Sequence, residues 1–309
     1  MNPDLCRAGI SKSFPETTIE RIQSLYEALD DSSEGWDTYA YLVNGEFVFL
    51  FPKHQHGADS LKLQAKLLPE LRQHLSIPIP RFEFVSYGCE QFRQLFVGYR
   101  MIEGVPLTEN LFRQVCTKSV SKDLASQLSQ FLSQLHNFPI ERARKLGVPS
   151  APDRERWTDF YRDMEQKAFT LLDRSEQRWT TELFENFLSF EENFQFQPVL
   201  LHGDLSPEHI LFERERKSIS GIIDFGDARI GDPAYDFQFD YGDDFLLEVM
   251  SNYQGQIDDT FLRRLEFYNR RWPFHEILYG LCCNKSEHVH RGMENLRKVT
   301  ATEKANTGG

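Results

Sequence analysis

The sequence offers little for cysteine chemistry. Its five cysteines (Cys6, Cys89, Cys116, Cys282, Cys283) are odd in number and scattered apart from one adjacent pair. They match neither a zinc spacing nor a disulfide framework, which fits a reducing cytoplasm. No apolar run approaches the roughly 18–20 residues that cross a bilayer. The opening MNPDLCRAGISKSFPETT lacks the apolar stretch of a secretion signal, so a soluble cytoplasmic protein is expected. Basic charge is short too: 35 Lys and Arg against 47 Asp and Glu leave a net charge of −12. Such a surface repels phosphate backbones and argues against nucleic acid as a partner. It would attract a small cation. Internal repeats and low-complexity tracts are lacking, and nothing suggests more than a monomer.

What is abundant is aromatic mass. The 26 Phe, 11 Tyr and 4 Trp among 309 residues can fill the cores of two lobes. Ile19, Ile22, Leu25, Tyr26 and Leu29 fall at helical spacing and predict a first helix over 17–30. Asn44 and Gly45 between two apolar runs predict a hairpin of strands 38–43 and 46–51. Pro52 has no N–H to give, so pairing should weaken before Lys53. A helix over 58–75 and strands over 82–87 and 95–101 follow. From Ser119 the pattern turns helical, with Leu124, Leu128, Phe131, Leu132 and Leu135 in one stripe. Further helices are expected over 156–172 and 181–193, and short strands over 199–202, 209–212 and 219–225. The fold class is α+β, a small antiparallel sheet followed by a larger, mainly helical half.

Two stretches carry chemistry: VLLHGDLSPEHILF (199–212) and ISGIIDFGDARIGDPAYDF (219–237). Each is an apolar run that breaks into polar residues, so a buried strand delivers carboxylates at its end. Asp204, His209 and Asp224 could supply what phosphoryl transfer needs, a proton acceptor and ligands for Mg²⁺ on the phosphates. The plain alternative for the two aspartates is a helix cap and a turn residue. His202 reads as a brace for its own loop. Asp232, before Pro233, and Asp236 read as capping or orienting residues. His288 and His290 read as exposed helix surface.

HGDLSPEH and IIDFGDA resemble the catalytic loop and metal-binding segment of protein-kinase-like small-molecule kinases, most of all the aminoglycoside 2″-phosphotransferases. The FPK strand end and the GYR stretch add to the likeness, which runs from about Ser33 to Tyr279. The resemblance implies a bilobal kinase-like fold: a nucleotide-binding lobe over 1–97, a hinge over 98–103, a helical lobe over 104–299 and a flexible tail over 300–309. It implies Asp204 as catalytic base, with His209 and Asp224 as metal ligands. Lys53 would reach the nucleotide phosphates. Gly98, Tyr99, Arg100 and Met101 would offer backbone groups to the base of ATP or GTP. The loop over 33–38 would cover the phosphates, although Gly35 is its only glycine.

The implied acceptor is a cationic aminoglycoside, phosphorylated at a hydroxyl such as the 2″-hydroxyl, which would confer antibiotic resistance. Asp240, Asp243, Asp244 and Glu276 would attract its ammonium groups, and Trp272 would add an aromatic wall. Where the family places a helix glutamate about eleven residues after the strand lysine, this chain has Gln64, with Glu70 as another partner for Lys53. His275 stands where relatives carry Asp. The rival readings are a same-fold kinase for a macrolide, amino alcohol or sugar, and a nucleotide-binding pseudokinase.

Overall fold

The computed structural model describes residues 1–29, 35–90, 92–150 and 153–307. In chain order the elements begin with α1 (Pro3–Ser13), β1 (Ile22–Ser24), α2 (Leu25–Ala28), β2 (Thr38–Val43) and β3 (Phe47–Pro52). Then come α3 (Gln55–Leu71), β4 (Phe82–Ser86), β5 (Phe96–Arg100), β6 (Val105–Pro106), α4 (Glu109–Val115), α5 (Lys118–His136) and α6 (Ile140–Leu146). The rest comprises α7 (Asp153–Lys167), α8 (Arg174–Ser189), β7 (Val199–Leu201), β8 (Ile210–Glu213), β9 (Ser218–Ile222), α9 (Asp243–Asn252), α10 (Phe261–Arg270), α11 (Trp272–Cys282) and α12 (Ser286–Thr307). An antiparallel sheet thus opens a mostly helical chain, as the α+β expectation holds. Helix α12 extends into the stretch over 300–309 read as a tail. No helix among the described residues is long and apolar enough to cross a membrane.

The chain divides into two compact units. The first joins residues 1–149 with 200–229 and 239–255, so Asp204, His209 and Asp224 all lie in the same unit as the sheet. That sheet has the order β1-β2-β3-β5-β4. The hairpin closes at Asn44 and Gly45, both at positive φ, in the register Val43↔Phe47 through Thr38↔Pro52. One sheet face buries Tyr41, Val43, Phe49, Phe51 and Phe96 against Cys6 and Ile10 of α1. The other carries Ala40, Leu42, Val48 and Tyr99, covered by Leu25, Tyr26 and Ala28. Beside them Leu50 packs with Leu61 of α3 and with Val97.

The first predicted helix is not formed. Strand β1 and the single turn α2 take its place, with Ile22 paired to Val43. The cause is a side chain far along the chain. Asn44 Oδ1 accepts from the backbone N–H groups of Glu20 and Arg21, and its Nδ2 donates to Thr18 O, which engages backbone groups that a helix would need for itself. All five cysteines are free thiols.

The second unit comprises residues 150–199, 230–238 and 256–309. At its heart Arg264, wholly buried, grips Asp232 and Asp258. Asp232 also caps the turn after it, accepting from Ala234 N at 3.1 Å. Burial pushes the Asp258 carboxyl up, but hydrogen bonds from Arg264 and Thr260 outweigh it and hold it at about 2. Its folded value lies below the unfolded one of about 3.9, so its contribution is complete above that value and is lost as pH falls toward about 2. Urea unfolding across this window should show Asp258→Asn losing less stability with acid than the parent. Equal slopes for the two chains would refute the linkage.

Candidate active site

The candidate site is built by short strands that stop early. Strand β7 ends at Leu201, and a sharp turn follows in which Gly203 has φ +85°. A Cβ there would lie 2.1 Å from the Asp227 carbonyl oxygen, so only glycine lets the two segments approach so closely. His202 is fully buried between them. Its Nε2 donates to Ile223 O at 3.0 Å, and its Nδ1 accepts from Asp204 N at 3.3 Å. It braces the loop, as its position in the sequence suggests.

These turns bring Asp204, His209 and Asp224 together. His209 Nδ1 lies 2.7 Å from the Asp204 carbonyl oxygen and 3.5 Å from Asp204 Oδ2. Donation from Nδ1 leaves the Nε2 lone pair facing Asp224 Oδ2 at 3.7 Å. Desolvation in the crowded turn dominates at Asp204, although a third of its side-chain surface stays open, and raises its carboxyl to about 6. The negative charges of Asp227 and Asp224 act in the same direction, while His209 and Arg229 oppose them. A carboxylate so placed is a stronger proton acceptor than an ordinary aspartate and still ionises near neutral pH.

At His209 burial disfavours the charged ring, yet Asp224 and Asp204 outweigh it and raise its pKa. The potential that favours a proton there also favours a metal cation. One carboxylate and one imidazole are a sparse donor set, and no group of three or more potential metal ligands occurs among the described residues. Sparse sets suit Mg²⁺, which keeps waters and substrate phosphates among its ligands. The residues present therefore fit it.

The Lys53 ammonium donates to Gly35 O at 2.6 Å and lies over the Tyr39 ring, while its backbone N–H donates to Asp37 O. It ties down the end of the loop over 33–38, of which residues 33 and 34 lie outside the described residues. Glu70 does not serve Lys53: it takes a two-pronged bond from Arg142. Gly98 and Tyr99 lie inside β5, paired with β3 on one side and β4 on the other. Arg100 ends that strand in an ion pair with Glu46, and Met101 N donates to Glu46 O. Asp240, Asp243 and Asp244 are exposed, the last two in the first turn of α9, where they complement the helix N-terminus.

In the second unit Trp272 is half exposed and stacks on His275. Glu276 is buried and paired with Arg291, with His288 Nδ1 at 3.5 Å. His288 is therefore not surface, as expected from the sequence, but a buried member of this group; His290 is exposed. Ser60 belongs to no motif visible in the sequence, yet its Oγ donates to Gly226 O at 3.0 Å.

A small antiparallel sheet, a mainly helical remainder, and two aspartates flanking a histidine are the outline of a kinase-like phosphotransferase. Comparison with known proteins agrees. The profile of the phosphotransferase enzyme family matches residues 32–275, and the chain belongs to that family. Wild-type aminoglycoside 2′-phosphotransferase-IIIa, solved with GDP, is similar at 33% identity and TM-score 0.87, covering 98% of this chain and 100% of that one. The GDP and kanamycin complex of APH(2″)-IIIa is similar at 34% identity and TM-score 0.87, covering 96% and 98%. Viomycin phosphotransferase of Streptomyces vinaceus is 24% identical over 265 residues, 83% of this chain and 88% of that one.

Proposed function

We propose that this enzyme moves the γ-phosphoryl group of a nucleoside triphosphate, GTP in the first instance, to a hydroxyl of an aminoglycoside such as its 2″-hydroxyl. Resistance to the antibiotic would follow. The observation that carries the reading is that His209 lies between Asp204, at 3.5 Å, and Asp224, at 3.7 Å. GTP is preferred because relatives at 33–34% identity hold GDP, one of them together with kanamycin.

Asp204 would orient the acceptor hydroxyl and take its proton, with His209 holding the loop through the Asp204 carbonyl. His209 Nε2 and Asp224 would hold Mg²⁺, which supplies charge neutralisation on the phosphates. Lys53 would act on the phosphates and the loop above them. The end of β5, with Met101, would lie beside the base. Exposed Asp240, Asp243 and Asp244 would draw in the ammonium groups. A loose transition state needs positioning and charge stabilisation more than covalent help. We place the reaction in the cytoplasm, where the nucleotide is available.

Turnover should be measured with GTP and ATP, each against kanamycin, gentamicin and a macrolide. Kanamycin or gentamicin phosphorylation, faster with GTP, is expected. Transfer confined to the macrolide would move the acceptor class. Nucleotide binding with no transfer to any hydroxylated cation would leave a pseudokinase.

A further inference from the structure

Helix α3 has no acid where a kinase sets one against its strand lysine. Gln64 stands there, buried, and β3 turns Leu50 toward the helix, packed on Leu61. The amide has other work. Gln64 Nε2 donates to Ser60 Oγ at 3.2 Å, and Ser60 Oγ donates to Gly226 O at 3.0 Å. The Gly226 N–H in turn donates to Asp224 Oδ1 at 3.2 Å. The cradle is tight. A Cβ on Gly226 would meet Asp224 Oδ1 at 3.0 Å, Ser60 Oγ at 3.2 Å and Gln64 Nε2 at 3.7 Å.

The direction of these bonds is set by proton supply. Ser60 has one hydroxyl proton, and Gly226 O can only accept. Once that proton is committed, Ser60 Oγ must accept from position 64, which an amide can satisfy and a carboxylate cannot. A glutamate there would draw the Ser60 proton to itself and release the Gly226 carbonyl.

We propose that Gln64 and Ser60 are positioning residues, a two-step relay from α3 that fixes the Gly226 peptide and, through its N–H, the Asp224 carboxylate for the metal ion. The proposal rests on the metal role given above to Asp224. It runs against the simple view of Gln64 as a missing glutamate, because restoring the acid should harm the site. Partners that orient a ligating carboxylate commonly govern metal affinity.

The test is binding of a fluorescent N-methylanthraniloyl GDP, titrated with Mg²⁺ and repeated in EDTA, in the full chain. Gln64→Glu and Ser60→Ala should each raise the half-saturating Mg²⁺ about tenfold. Neither should change affinity in EDTA, and Ser60→Thr, which keeps the hydroxyl, should behave as the parent. Ser60→Ala carries the test should Gln64→Glu fail to fold. Unchanged Mg²⁺ demand in both variants would overturn the relay, as would an equal loss of affinity with and without Mg²⁺. Parent binding that ignores Mg²⁺ would instead overturn the metal role of Asp224, and the relay with it.

Discussion

Asp204→Ala is expected to lower turnover about 10²–10⁴-fold, the usual worth of a positioned general base. The side chain projects from a turn held by His202 and Gly203, and His209 binds the backbone carbonyl of residue 204, which alanine retains. The loop should therefore keep its shape, and nucleotide affinity should stay within about twofold because His209 and Asp224, the metal ligands proposed above, are untouched. Single-turnover transfer to kanamycin, with nucleotide binding measured in parallel, separates the two quantities. A variant that kept most of its transfer rate would be falsifying for the base assignment. One that lost nucleotide binding as severely would show a structural role instead.

The second large effect lies in the other unit. Arg264→Met should destabilise the protein by about 3–5 kcal/mol, because it strands a buried charge. Asp232 is 1% exposed and takes the guanidinium fork at 2.6 and 3.0 Å, with Tyr268 Oη donating at 2.8 Å. Without Arg264, the donors left to that carboxylate among the described residues are the neutral Ala234 N–H and Tyr268 hydroxyl. Adding Asp232→Asn to Arg264→Met should recover part of the loss by removing the stranded charge. Arg264→Lys should fall between, since an ammonium keeps the charge and loses the fork. Urea midpoints for the four chains decide the matter. A loss below about 1 kcal/mol for Arg264→Met would mean that the buried pair contributes little beyond its packing.

Much of this molecule is legible from local pattern. Asn44 and Gly45 mark the hairpin because both sit at positive φ, where few other residues are comfortable. The paired segments ending in Asp204 and Asp224 announce themselves as apolar strands broken by carboxylates. What local pattern misses is decided by distant partners. The apolar spacing over 17–30 is helical, yet Asn44 supplies hydrogen bonds that favour a non-helical path for residues 18–21, ahead of β1. His288 looks like surface until Arg291 and Glu276 are seen beside it. Ser60 and Gly226 are 166 residues apart, and no spacing rule connects them. Gln64 was visible as a departure, but the donor polarity that gives it a purpose is a property of its surroundings.

Asp224 holds a backbone conformation, φ +63°, that costs a side-chain-bearing residue about 1–3 kcal/mol and glycine almost nothing. Selection for durability alone would favour glycine there, so keeping the aspartate would be a standing expense to any lineage with no use for the carboxylate. Among descendants of this chain, the letter at that one position would serve as a tally of which copies remain working enzymes and which survive only as folded shells.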